Sequence, residues 1–122
     1  MKLWIALGAI CCALGVAIGA FGAHGLKSRI SPDMLAVFEI GVRYQMYHAL
    51  GLFAVAFTAT RFSHPCISWA GWLFVVGILI FSGSLYALSL SGIRVLGAIT
   101  PIGGVCFIAG WICLAWGVFS EP

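Results

Sequence analysis

From Leu3 to Ala23 the chain runs for 21 residues without one charged side chain. A helix needs about 20 residues to cross the hydrocarbon of a bilayer, and within that layer it satisfies its own backbone hydrogen bonds. The run therefore reads as a membrane-spanning helix. It is longer than the apolar stretch of about 7–15 residues in a secretory signal. Neither Cys11 nor Cys12 has a large aliphatic residue three places before it, as a lipoprotein cleavage site requires. The run is thus expected to stay as a first span.

The remaining sequence is of the same kind. Of 122 residues, 63% are hydrophobic and 7% charged, whereas a soluble domain carries about 25% charged residues. That is too little polar surface to cover a water-soluble globule. The length fits a single transmembrane domain over residues 1–122, with spans at about 3–23, 36–60, 66–90 and 95–119. Ser31-Pro32-Asp33 forms a helix start: Ser31 caps, Pro32 needs no N–H in the first turn, and Asp33 favours the positive helix end. Pro65 starts the third span by the same rule. In the fourth, Pro101 falls inside the apolar run and predicts a kink or irregular turn, because it cannot bond to the carbonyl of Gly97.

Short connections at 24–31, 61–64 and 91–94 imply an all-α, up-down-up-down four-helix bundle. Both termini and the 61–64 turn then share one side. The other connections carry Lys27, Arg29 and Arg94 against Lys2 and Arg61 on the terminus side. By the positive-inside rule this three-to-two balance places loops 24–31 and 91–94 in the cytoplasm.

The second span is the anomalous one. Only twelve residues without an ionisable side chain, Ala49 to Thr60, precede Arg61. A span of sufficient length must reach back into VFEIGVRYQMYHALGL, Val37 to Leu52, and bring Arg43, Gln45 and His48 into the membrane. A charge at mid-bilayer costs about 2.5–3.5 kcal/mol or more, so such residues have partners or a purpose. The connectivity also sorts the rest of the chain by depth. Trp4, Trp69, Trp72, Trp111 and Trp116 fall toward the terminus side, where interfacial anchoring explains them. His24, Glu39, Arg43, Tyr44, Gln45, His48, Ser84, Tyr86 and Thr100 fall in the opposite half. These nine are the candidate polar pocket, suited to a lipid headgroup, a small polar molecule or an ion. Glu39 and Arg43, four apart, can pair on one helix face, as can Tyr44 and His48. The competing structural reading is a polar knot that fixes helix register, or side chains reaching out to headgroups.

Small residues form the other pattern. Gly8, Cys12, Gly15, Gly19 and Ala23 follow one another every three or four residues, and Gly103-Gly104 follows Pro101. Such stripes let helix backbones approach closely. They serve packing within the bundle, or docking on a second copy or another membrane protein.

Several function classes lack a basis. No Lys/Arg run suits nucleic acid. Five cysteines at 11, 12, 66, 106 and 113, with no C-x-x-C, make no disulfide framework. There is no H-E-x-x-H or Cys/His set for a metal, and no G-x-S-x-G. No cofactor is expected, and the chain reads as a non-enzyme whose sure partners are membrane lipids; the third alternative, a membrane-embedded enzyme, requires a buried, water-reached His or Glu with a perturbed pKa.

Four segments taken together, GAFGAHGLK (Gly19 to Lys27), VFEIGVRYQMYHALGL (Val37 to Leu52), FSGSLYAL (Phe81 to Leu88) and GAITPIGGVCFIAGW (Gly97 to Trp111), resemble the YgdD-like small inner-membrane proteins, domain-of-unknown-function family 423. The animal transmembrane protein 256 is similar. The resemblance covers essentially the whole chain. It implies a multi-pass protein of the bacterial plasma membrane with no established activity and no assigned site residues.

Overall fold

The computed structural model describes residues 1–122 and is entirely helical. Helix α1 spans Lys2–Phe21 and widens into a π turn at Gly22–Leu26. Helix α2 spans Pro32–Ala59. Helix α3, Pro65–Gly77, passes through a second π turn, Ile78–Ser82, directly into α4, Gly83–Ser91. A 3₁₀ turn at Arg94–Ala98 leads into α5, Thr100–Phe119. Four rods result, three of which are long and apolar enough to cross a membrane: Lys2–Leu26, Pro65–Ser91 and Arg94–Phe119. The exception is α2, although at 28 residues it is the longest single helix. Arg43, Gln45 and His48 interrupt its apolar sequence.

The helix ends follow local chemistry. Ser31 Oγ accepts from the Met34 N–H at 3.2 Å, and Pro32 occupies the first turn of α2. His64 Nδ1 accepts from the Cys66 N–H at 3.1 Å beside Pro65. Gly92 ends α4 with φ +74°, a left-handed conformation that a residue without Cβ adopts at no steric cost. At Pro101 the irregular turn, and not the kink, is what forms: a 3₁₀ segment at Arg94–Ala98 interrupts the span just before it. Pro101 sits in the first turn of α5 after this segment, so it starts a helix instead of kinking one. The first turn has no intrahelical acceptor for an N–H, and a proline there removes nothing.

Packing is close and runs through glycine. As α1 is followed from Gly8 through Gly15 and Gly19 to Gly22, the residues it meets on α2 run back from Leu52 through Met46 and Val42 to Phe38. Along α5, Gly103 faces Phe81, Gly110 faces Phe74 and Gly117 faces Ile67. The tightest approach to a neighbouring backbone is at Gly103, where an added Cβ would lie 2.8 Å from the Phe81 Cα. Gly104 is different: the nearest atoms to its absent Cβ are those of the Phe81 ring at 3.9 Å, ordinary contact.

A core of Trp4, Leu52, Val55, Ala56, Ile67, Ala70 and Phe74 joins α1, α2 and α3. Trp4 is therefore not an interfacial anchor. It is 5% exposed, lies over Gly71, and meets Trp72 edge-on at 5.0 Å. At the other terminus the Glu121 carboxylate accepts from the Ser63 N–H at 3.0 Å and from the Ser63 hydroxyl at 2.9 Å, joining the chain end to the turn between α2 and α3.

Candidate functional site

Polar residues of α2 divide by face. Gln45 and His48, three apart, lie on the inner face with the buried Phe38, Gly41 and Leu52. Glu39, Arg43 and Tyr47, each four from the next, lie on an exposed face. At 3.6 residues per turn both sets are helical stripes, and they point in different directions.

The inner set is a series of interhelical hydrogen bonds. The Gln45 amide donates to the Cys11 carbonyl of α1 at 2.9 Å, and its oxygen accepts from the Tyr86 hydroxyl of α4 at 2.6 Å. Gln45 thus ties α1 to α4 through α2. Gly15 makes room for it: a Cβ there would stand 3.5 Å from the Gln45 nitrogen and closer still to Met46. Gly41 likewise lies under the Tyr86 ring. One turn away from that ring, the Ser82 hydroxyl in the π turn donates to the Gly41 carbonyl at 2.6 Å. Ser84 and Thr100 share a hydrogen bond of 2.5 Å between α4 and α5, and Ser84 also donates to the Phe81 carbonyl at 3.0 Å.

His48 occupies the centre of an aromatic cluster. Its ring stacks on Phe107 with centroids 3.5 Å apart and planes 8° from parallel, and Phe74 meets it edge-on at 5.3 Å. Nδ1 lies 2.8 Å from the Tyr44 carbonyl, which can only accept, so Nδ1 carries the proton. Nε2 then offers its lone pair to the Trp111 indole N–H at 3.0 Å. The imidazole is held neutral in one tautomer. Tyr44 leans outward from this cluster, its ring 4.7 Å from Phe81 and 5.6 Å from Tyr47.

Trp111 was not among the sequence candidates, which place it in the half opposite His48. Both residues sit near the middle of their helices, and that shared depth is the only signal in the sequence that pairs them. Every buried side-chain nitrogen and oxygen has a hydrogen-bond partner. The interior is a satisfied set of ties, with aromatic rings filling the space around them.

His24, Glu39 and Arg43 take no part in it. His24 is exposed in the π turn that ends α1. Glu39 and Arg43 border a groove of about 370 Å³ between α1 and α2, lined also by Gly19, Phe38, Val42, Met46 and Tyr47. Neither charged side chain enters any of the chain's hydrogen bonds, and no ion pair joins them. A smaller groove of about 220 Å³ lies between α1 and the α3–α4 rod, apolar except where Gln45 and Tyr86 reach its floor. The glycines of the packing set are mostly committed inside the chain, with Gly8 against Ala49 and Leu52, Gly15 against Met46, Gly19 against Val42 and Gly103 against Phe81.

Comparison with known proteins places the chain among membrane proteins without an assigned activity. The family described as Protein of unknown function (DUF423) matches residues 18–104. The UPF0382 membrane protein YwdK of Bacillus subtilis is 56% identical over 115 residues, 93% of this chain and 94% of that one. The UPF0382 membrane protein SH2409 of Staphylococcus haemolyticus is 52% identical over 120 residues, 98% of each chain. No solved structure matches. With a family match over most of its length and relatives at half identity from end to end, this membrane protein belongs to the DUF423 family.

Proposed function

We propose that this chain is a single-domain, four-span protein of the bacterial plasma membrane that holds a phospholipid by its headgroup in the groove between α1 and α2. The observation that carries the reading is the lining of that groove. Arg43 and Glu39, exposed and without partners in the chain, stand beside Phe38, Val42 and Met46. An arginine facing lipid lowers its cost by meeting phosphate, and the planar guanidinium matches phosphate oxygens two at a time.

The up-down-up-down arrangement, with both termini on one side, is part of this proposal. Three contacts support it: the opposite order of partners along α1 and α2, Trp4 against Gly71 near the start of α3, and Glu121 on Ser63. The charge balance then puts the groove in the cytoplasmic half of the bilayer. The interior hydrogen bonds serve as ties, and nothing in them calls for a catalytic step. The alternative role, docking on a partner through glycine stripes, draws less support because those glycines already face neighbours in the same chain.

Native mass spectrometry of the protein released from nanodiscs tests the reading. The wild type is expected to retain phospholipid, Arg43→Gln to lose most of it, and Arg94→Gln, changed in the 3₁₀ turn away from the groove, to keep it. Undiminished lipid on Arg43→Gln overturns the proposal.

A further inference from the structure

The two charges in the groove differ in sign and in depth, and this pairing narrows the ligand. Resting on the headgroup reading above, we infer that the groove selects a glycerophospholipid whose headgroup bears a primary amine, with Glu39 receiving the ammonium and Arg43 the phosphate. Glu39, Arg43 and Tyr47 follow one another at intervals of four along the exposed face of α2. Each step advances about 6 Å along the helix axis. Glu39 is nearest Pro32, where α2 begins, and Tyr47 lies deepest in the span.

An amine-bearing phospholipid has the same order of groups. Its ammonium is outermost, the phosphate follows across a short carbon bridge, the ester carbonyls come next, and the acyl chains lie deepest. Glu39 meets the cation and Arg43 the phosphate. The Tyr47 hydroxyl, exposed and without a partner in the chain, donates to an ester carbonyl. Val42 and Met46, with Phe38 and Gly19, provide the apolar wall for the first acyl carbons.

Selectivity comes from Glu39 acting in two directions. It attracts an ammonium, and it opposes an anionic headgroup that brings no cation to meet it, so the wrong lipid is disfavoured by repulsion as well as by a missing contact. Were Glu39 and Arg43 paired with each other, neither function would be open to them.

The test reconstitutes the full chain in nanodiscs holding equal phosphatidylethanolamine and phosphatidylglycerol, and reads the lipids retained in native mass spectrometry. The wild type is expected to enrich phosphatidylethanolamine about two- to fivefold, the effect of one interfacial ion pair. Glu39→Gln should bring the two lipids to their bulk ratio, chiefly by loss of phosphatidylethanolamine. Arg43→Gln should lower the total for both. Both side chains are exposed, and circular dichroism with size measurement verifies that the variants fold. If the wild type retains the two lipids in the bulk ratio, or Glu39→Gln keeps the enrichment, the amine selection is wrong while headgroup binding stands. If Arg43→Gln retains all of its lipid, headgroup binding fails and the amine selection fails with it.

Discussion

The indole N–H of Trp111 donates to Nε2 of His48 across 3.0 Å, joining the middle of α5 to the middle of α2. Because the opposite ring nitrogen donates to the Tyr44 carbonyl at 2.8 Å, the histidine has one tautomer available. Nitrogen NMR of ¹⁵N-labelled protein should show His48 with Nδ1 protonated and Nε2 bare. Trp111→Phe keeps the ring packing and removes the donor. It should cost about 0.6 kcal/mol, the average for hydrogen bonds between helices in membranes, and at most about 1.7 kcal/mol, measured by unfolding in mixed detergent micelles. Retention of full stability would mean that the indole bond contributes nothing.

Gln45 bonds on two sides, and its partners should be energetically coupled. Tyr86→Phe removes one bond and Gln45→Leu removes both. The double variant should be less destabilised than the sum of the singles, by about 0.5 kcal/mol or more, as expected for residues in one network. Unfolding free energies of the four proteins in one detergent provide the cycle, and strict additivity would argue against the bridge.

Adjacent glycines should respond very differently to the same methyl group. Gly103→Ala drives a Cβ into the Phe81 backbone and should destabilise by about 1–3 kcal/mol, the usual cost of overpacking. Gly104→Ala meets only the edge of a ring at ordinary distance and, in a helix interior, should leave stability unchanged or raise it by up to about 1 kcal/mol. Thermal unfolding of the two variants distinguishes them, and equal effects would contradict the close approach of α5 to the π turn.

Pro101→Ala tests the start of α5. A proline in the first helical turn costs the helix no hydrogen bond, so its replacement should leave helical content unchanged and stability within about 0.5 kcal/mol. A proline buried in a helix interior would instead give a gain of about 3 kcal/mol on replacement. Circular dichroism and unfolding midpoints decide between the two.

Much of the fold is written in the order of residues. Pro32, Pro65 and Gly92 mark their helix ends through backbone chemistry that needs no tertiary context, and the apolar runs locate the rods. Pro101 signals an interruption but not its form, because an unbroken apolar run hides the change from a 3₁₀ turn to an α-helix at Thr100. Depth read from connectivity groups Gln45 with Tyr86 and Ser84 with Thr100, which do bond, but it sets Trp111 and His48 in opposite halves although they bond too.

Direction around the helix is a separate matter. Glu39, Arg43 and Tyr47 share the depth range of Gln45 and His48 but occupy another face, and depth alone merges the two sets. The four-residue spacing of the outer three was visible in the sequence. Which face looked inward depended on contacts such as Tyr86 on Gly41, between residues 45 positions apart, and no local pattern announces those. Trp4 shows the same limit: its sequence position suits an anchor, and only the gap above Gly71 draws it inside.

The π turn at Ile78–Ser82 places one extra residue in a rod that is otherwise α-helical. An α-helix turns about 100° per residue, so the insertion resets the angular phase of everything after it. Before the insertion, Gly77 addresses α5 and Phe74 lies between Gly51 of α2 and Gly110 of α5; after it, Tyr86 and Leu85 address Gly41 on α2. Deleting a single residue from this turn would regularise the rod while rotating Tyr86 away from Gln45. In this protein a more perfect helix would make a worse bundle.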